Sequence, residues 1–385
     1  MRAVLPLVLV TALLSGCSLF GSKDNNMPPS PLTKFKPTLI LKRVWSRDAG
    51  SGTDHRHLLL APLVSDGRIY AADHKGRVYA YDADTGKRLW KTDTDTPLTG
   101  GVGGGDGLLL LGARDGRVLA LQANDGKVKW RAQVSSEVLS APRAARGVVV
   151  VSSNDGNVFG LDASDGHQVW VVDHTIPLLI LRGASSPVLV SGVALCGLAN
   201  GILEAIRIRD GAPLWQATVA VARGSSELER MVDVDGQLQA MGGMVYVAAY
   251  QGRVAAIDIT SGQIAWERDV PSYAGLGVDT SRVFVTDDEG RVWALDRSSG
   301  ATVWRQTKLR YRGVTAPVPF DGQYVVVGDI EGYLHWMDRA DGRFVARIRV
   351  DSSGILSPPL VHGNTLYVLT RDGELAAYRI AGATP

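Results

Sequence analysis

Apolar and polar positions alternate along this chain in short runs, and the run Gly76–Trp90 sets the pattern. Val78 and Ala80 fall on one face of an extended chain, Tyr79 and Tyr81 on the other, which predicts a strand. Asp82–Gly86 has turn chemistry: a carboxylate to accept backbone N–H groups and a Gly for positive φ. A second strand then runs out to Trp90.

The unit recurs as Gly116 with Trp130, Gly156 with Trp170, Gly201 with Trp215, Gly252 with Trp266 and Gly290 with Trp304. Gly332 opens another copy with Ala346 in place of the Trp, and Gly373 opens an eighth that lacks its last strand. Gly and Trp (or Ala) are 14 residues apart in every complete copy, while the Gly-to-Gly steps are 40, 40, 45, 51, 38, 42 and 41. All length variation therefore lies between a Trp and the next Gly.

An all-β period near 42 with an aromatic per repeat describes a β-propeller blade. Each blade needs an inner strand A, then B, then C (Gly76 to Asp82 in the first copy) and an outer D. In the second copy, A and B are expected around Leu98 and Leu108–Leu111. Eight C strands predict an eight-bladed β-propeller of four-stranded blades over residues 38–381. Leu39–Trp45 reads as a D strand with no C before it, and the last repeat has a C strand with no D. The N-terminal strand is predicted to complete the last blade and close the ring, removing an exposed edge.

Composition adds the address. Met1–Gly16 has Arg2 followed by an apolar stretch, Ala3–Leu14, too short to span a bilayer, and reads as a signal peptide. Leu14-Ser15-Gly16-Cys17 resembles the lipobox of bacterial lipoproteins, which implies acylation of Cys17 on sulfur and nitrogen. Ser18 stands where an Asp would resemble an inner-membrane retention signal, so a Gram-negative outer-membrane anchor facing the periplasm is expected. Residues 17–37, rich in Pro, Ser and Lys, read as the lipidated Cys and a flexible tether. Net charge is +2 with no basic cluster, so nucleic acid is not an expected partner. Cys196, in an apolar run, is predicted to be a buried free thiol.

Sequence signatures of catalysis are missing: no Gly-x-Ser-x-Gly, Walker, Cys-x-x-Cys or His-Glu-x-x-His pattern occurs. The run Gly100–Gly105 fails the spacing of a phosphate loop and suits an innermost strand. His55, His57 and His74 do not make a convincing ligand set, and pairs such as Asp115-Gly116 and Glu289-Gly290 read as turns rather than calcium ligands. Neither a metal nor a cofactor is expected.

The repeat Ala-x-Asp-x-x-Thr-Gly-x-x-x-Trp is similar to that of quinoproteins, which would imply a PQQ-dependent dehydrogenase. The vicinal cysteine pair typical of those enzymes cannot be made from Cys17 and Cys196. Another periplasmic ligand- or protein-binding propeller is a further alternative. The chain as a whole resembles the BamB family, lipoproteins of the outer-membrane β-barrel assembly machinery. Leu181-Arg182-Gly183, Gly224–Arg230 with Asp233-Val234-Asp235, and Gly332–Trp336 running into Asp341–Ala346 carry the resemblance, with the lipobox, the closing strand and the missing seventh Trp. It implies a non-catalytic scaffold that binds the POTRA domains of BamA and assists barrel folding and insertion, with unfolded outer-membrane proteins as a further candidate partner.

The two longest Trp-to-Gly intervals are successive, Trp170–Gly201 and Trp215–Gly252. If they are D-to-A loops, they neighbour each other on one face of the ring. The first carries Ile176–Arg182, an apolar run ending in Arg; the second carries Glu227, Glu229, Asp233 and Asp235. An apolar centre with a charged rim suits a partner; alternatively, Leu179 and Leu181 begin the inner strand of blade 4 and the acids are solvated. The resemblance implies that Leu179, Leu181, Arg182, Asp233 and Asp235 contact BamA.

Overall fold

In the computed structural model, which describes residues 27–181, 183 and 185–383, the alternating runs form strands and no helix. They make eight four-stranded antiparallel blades, and in all but the last the strands follow sequence order from the axis outward. The first blade is Leu63–Ser65, Arg68–Ala72, Arg77–Asp82 and Arg88–Asp93. In the last, the order is Leu360–His362, Thr365–Leu369, Glu374–Ala383 and then Leu39–Asp48, so the N-terminal strand closes the ring as expected.

Period-two alternation places a hydrophobic layer on both faces of each blade. Val78 and Ala80 pack towards blade 2, while Tyr79 and Tyr81 pack towards blade 8. The core is a set of such layers between neighbouring blades, with Cys196 buried and unpaired in the one between blades 3 and 4.

The repeated Trp is the link from blade to blade. Trp45, Trp90, Trp130, Trp170, Trp215, Trp266 and Trp304 each donate an indole N–H to a backbone carbonyl of the next blade, at 2.8–3.3 Å. The ring of each also lies against the C-to-D turn glycine of that next blade. At Gly86, φ is 65° and a Cβ would come within 2.6 Å of the Trp45 ring, so the position needs glycine for both conformation and space.

The inner strand of blade 2 is Gly103–Gly105, which corrects the placement near Leu98; Leu98 makes only an isolated bridge to Ala113 on the approach. The glycines have a reason. A Cβ on Gly103 or Gly105 would run into the carbonyls of Pro142 or Ala144, and at this point blades 2 and 3 join through a Gly104–Arg143 bridge.

Residues 1–16 and Cys17 lie outside the described residues. Residues 27–37 of the predicted tether form neither strand nor helix, and from Ser30 the chain lies against blade 7 instead of hanging free. The Ser30 N–H bonds to Arg310 O at 3.0 Å and Thr38 N–H to Val345 O at 2.9 Å. Arg312 and Arg347 donate to the carbonyls of Ser30 and Thr33, each at 2.9 Å. Phe35 stacks on Phe344, with centroids 5.5 Å apart. Sequence composition misses this because the partners are some 280–310 residues away.

Candidate protein-docking site

In an up-and-down blade the A-to-B and C-to-D turns share one face of the ring, and the B-to-C and D-to-A connections share the other. The two long insertions are D-to-A loops. Residues 173–187 join Gln168–Val172 to Val188–Val190, and residues 219–238 join Pro213–Thr218 to Gln239–Met241. Leu179 and Leu181 therefore precede the inner strand of blade 4, which begins only at Val188.

The first loop is held at its base by polar contacts. His174 Nε2 lies 2.7 Å from Glu204 Oε2, and His174 Nδ1 lies 3.0 Å from the carbonyl of Gly156. Gln216 donates to the other Glu204 oxygen at 2.8 Å. The hydrogen bond to Glu204 raises the His174 pKa against the opposing effect of burial. Burial pushes the Glu204 carboxyl up, yet the bonds from His174 and Gln216 outweigh it and leave the group below its ordinary value.

The second loop braces the first from beneath. Asp233 is fully buried and one of its oxygens accepts the N–H of Leu181. Its other oxygen has no hydrogen-bond partner among the described residues. Burial pushes Asp233 up to about 6, and burial with the neighbouring Asp233 charge pushes Asp235 up to about 8. Asp235 lies against Gly183, where a Cβ would sit 3.1 Å from its Oδ2. A cleft of about 40 Å³, lined by Ser152, Asn154, His174, Ile176 and Asp235 among others, remains under the loop. That volume suits a water molecule and not an organic ligand.

The sequence-selected residues thus divide. Leu179 is 41% exposed at the surface, Leu181 and Asp235 are half-buried, and Asp233 is a support under the loop with no surface of its own. Arg182 lies outside the described residues. The structure adds Leu178, the most exposed large apolar side chain of the described residues at 96%, with Val221, Leu228 and Tyr273 on D-to-A loops of the same face. Leu178 stands in the same apolar run as Leu179, and the run was the available signal. Tyr273 follows the next blade, where loop length gives none.

A second cluster of ligand-type side chains, Asp162, Asp165 and His167, lies in the exposed C-to-D turn of blade 3. There Asp162 accepts from Ser164 and Asp165 pairs with His167 at 2.7 Å, in the turn role that Asp82 plays with Thr85.

The family model described as outer membrane protein assembly factor BamB matches residues 42–90, 74–306 and 299–384, nearly the whole ring. The chain belongs to the BamB family. It is 49% identical to the outer membrane protein assembly factor BamB of Pseudomonas aeruginosa, over 97% of this chain and 98% of that one. Among solved structures, BamB from Moraxella catarrhalis superposes with a TM-score of 0.81 at 29% identity, covering 88% of this chain and all of that one. The quinohemoprotein alcohol dehydrogenase ADHIIG of Pseudomonas putida also superposes, with a TM-score of 0.71 over 90% of this chain and 77% of that one. At 14% identity that likeness is one of fold. Exposed leucines on a braced loop are a feature that a protein-docking surface offers.

Proposed function

We propose that the chain is a non-catalytic scaffold subunit of the outer-membrane protein assembly machinery. A signal peptide of residues 1–16 is removed, and acylation of Cys17 anchors the ring on the periplasmic side of the Gram-negative outer membrane. The D-to-A face at blades 3–5 docks the POTRA domains of BamA and so assists barrel folding and insertion. The names of the relatives, outer membrane protein assembly factors, support the setting. The observation that carries the docking site is the pairing of the two longest loops on one face, with Leu178 and Leu179 presented above the buried Asp233.

In this reading the residues have distinct roles. Leu179 and Leu181 supply apolar contact, Arg182 supplies a charge at their edge, Asp233 positions the loop through the Leu181 N–H, and Asp235 backs the loop at Gly183. The test is affinity purification of the lipidated protein from detergent-solubilised membranes, with mass determination of its N-terminus. Recovery of BamA and a triacylated Cys17 supports the reading. Purification without BamA, or with an unmodified Cys17, overturns the corresponding half of it.

A further inference from the structure

The outer edge of blade 7 carries a set of cations that the ring does not neutralise. Arg347 sits over the rings of Phe35 and Phe344, at 5.0 and 5.1 Å, and its side chain bonds only to the Thr33 carbonyl and His335 Nδ1. Arg349 is exposed, lies over Tyr333 at 5.2 Å, and donates only to the backbone carbonyls of Glu331 and Asp351. Lys34 and Lys36 project on either side of Phe35 in the chain, and Lys308 stands two residues before Arg310, to which Ser30 is bonded. Arg312 beside them is matched by Asp329 and Glu331. Lys34, Lys36, Lys308, Arg347 and Arg349 have no carboxylate partner among the described residues.

Ten peptide steps separate Cys17 from Met27. Fully extended they span at most about 36 Å, so an acyl group on Cys17 holds this edge within reach of the bilayer. The exposed Arg349 guanidinium, stacked on Tyr333 and bonded only through Nε, has lost part of its freedom and leaves its terminal N–H groups for an oxyanion, while Arg347, bonded inward, adds positive charge behind it. We propose that the outer edge of blade 7, with the segment 30–38 laid along it, is a second membrane contact that binds the phosphate headgroups of anionic lipid. The placement near the membrane rests on the acylation of Cys17 proposed above; the lipid chemistry rests on the patch alone. A lipid chain combined with a basic patch is a recognised two-part anchor, and each basic residue near an anionic surface strengthens binding roughly fivefold.

The test uses residues 18–385 without acyl chains, a chain that contains the whole closed ring, and protein-free vesicles. Phosphatidylcholine vesicles containing phosphatidylglycerol should retain the protein in a salt-sensitive manner, and vesicles of phosphatidylcholine alone should not. Lys34→Glu with Lys36→Glu and Arg349→Glu should weaken retention at least about tenfold with an unchanged melting curve. The milder Lys34→Gln with Lys36→Gln should act in the same direction. No retention on anionic vesicles at low salt, equal retention on neutral vesicles, or triple-variant binding at wild-type strength would each overturn the proposal. Because the protein is unacylated, these outcomes are independent of whether Cys17 carries lipid in the cell.

Discussion

Trp336 and Ala346 face each other across the two outer strands of blade 7, the reverse of the arrangement in the other blades. There a small residue on C, such as Ala80, Ala120 or Ala377, opposes the Trp on D. The Ala that breaks the seventh repeat therefore marks an exchange of positions. Trp336 is fully buried against Phe320, with centroids 4.9 Å apart, between blades 7 and 8. The exchange costs a hydrogen bond, since the indole N–H of Trp336 has no partner among the described residues.

It follows that Trp336→Ala should destabilise the ring by roughly 3–5 kcal/mol in denaturant unfolding. Adding Ala346→Trp, which restores the order of the other blades, should recover part of that loss. A double variant no more stable than Trp336→Ala would show that the site accepts only one arrangement.

Ring closure depends on the strand Leu39–Asp48. Trp45 in it donates to Ala83 O at 2.9 Å and packs against Tyr367, tying blade 8 to blade 1. Deleting residues 39–48 exposes the edge of Glu374–Ala383 and should lower the melting temperature markedly. Trp45→Ala alone should cost roughly 3–5 kcal/mol. A melting curve unchanged by the deletion would exclude the closure.

The His174–Glu204 pair sets a pH window for the first loop. With its pKa raised in the fold, His174 contributes stability that is complete below its unfolded value of 6.5 and lost as pH rises through the folded value. Glu204, with its pKa lowered, contributes stability above its unfolded value of 4.5 that is lost as pH falls through the folded value. The pair is therefore strongest between about 4.5 and 6.5. Asp233 and Asp235, raised to about 6 and about 8, add further loss on the alkaline side as they ionise. The stability difference between wild type and His174→Gln should shrink from pH 6 to pH 9. A difference independent of pH would mean that His174 is not charged in the fold.

Much of this was legible in the chain because the blade is a local object. The strands, the C-to-D turns and the inter-blade Trp lie within one period, and the orphan D and C strands at the two ends match each other. What was hidden is long-range or counter to composition. Trp336 alternates with its neighbours like any strand aromatic, so nothing local marks it as the replacement for the missing Trp. Ser30–Thr38 has the composition of a tether, yet Arg312 and Arg347 fasten it. Asp233 reads as a solvated loop acid, and its burial appears only when the Leu181 N–H is brought to it by the neighbouring insertion.

The proposed docking site for BamA is the pair of D-to-A loops. It is tested most directly by titrating a purified BamA POTRA fragment against wild type, Arg182→Glu, and Leu179→Asp combined with Leu181→Asp. Arg182→Glu should weaken binding with little loss of fold stability, and the double leucine variant should weaken it more, by about thirtyfold or greater. Variants that keep the wild-type melting curve and still bind BamA at wild-type affinity would place the site elsewhere on the ring.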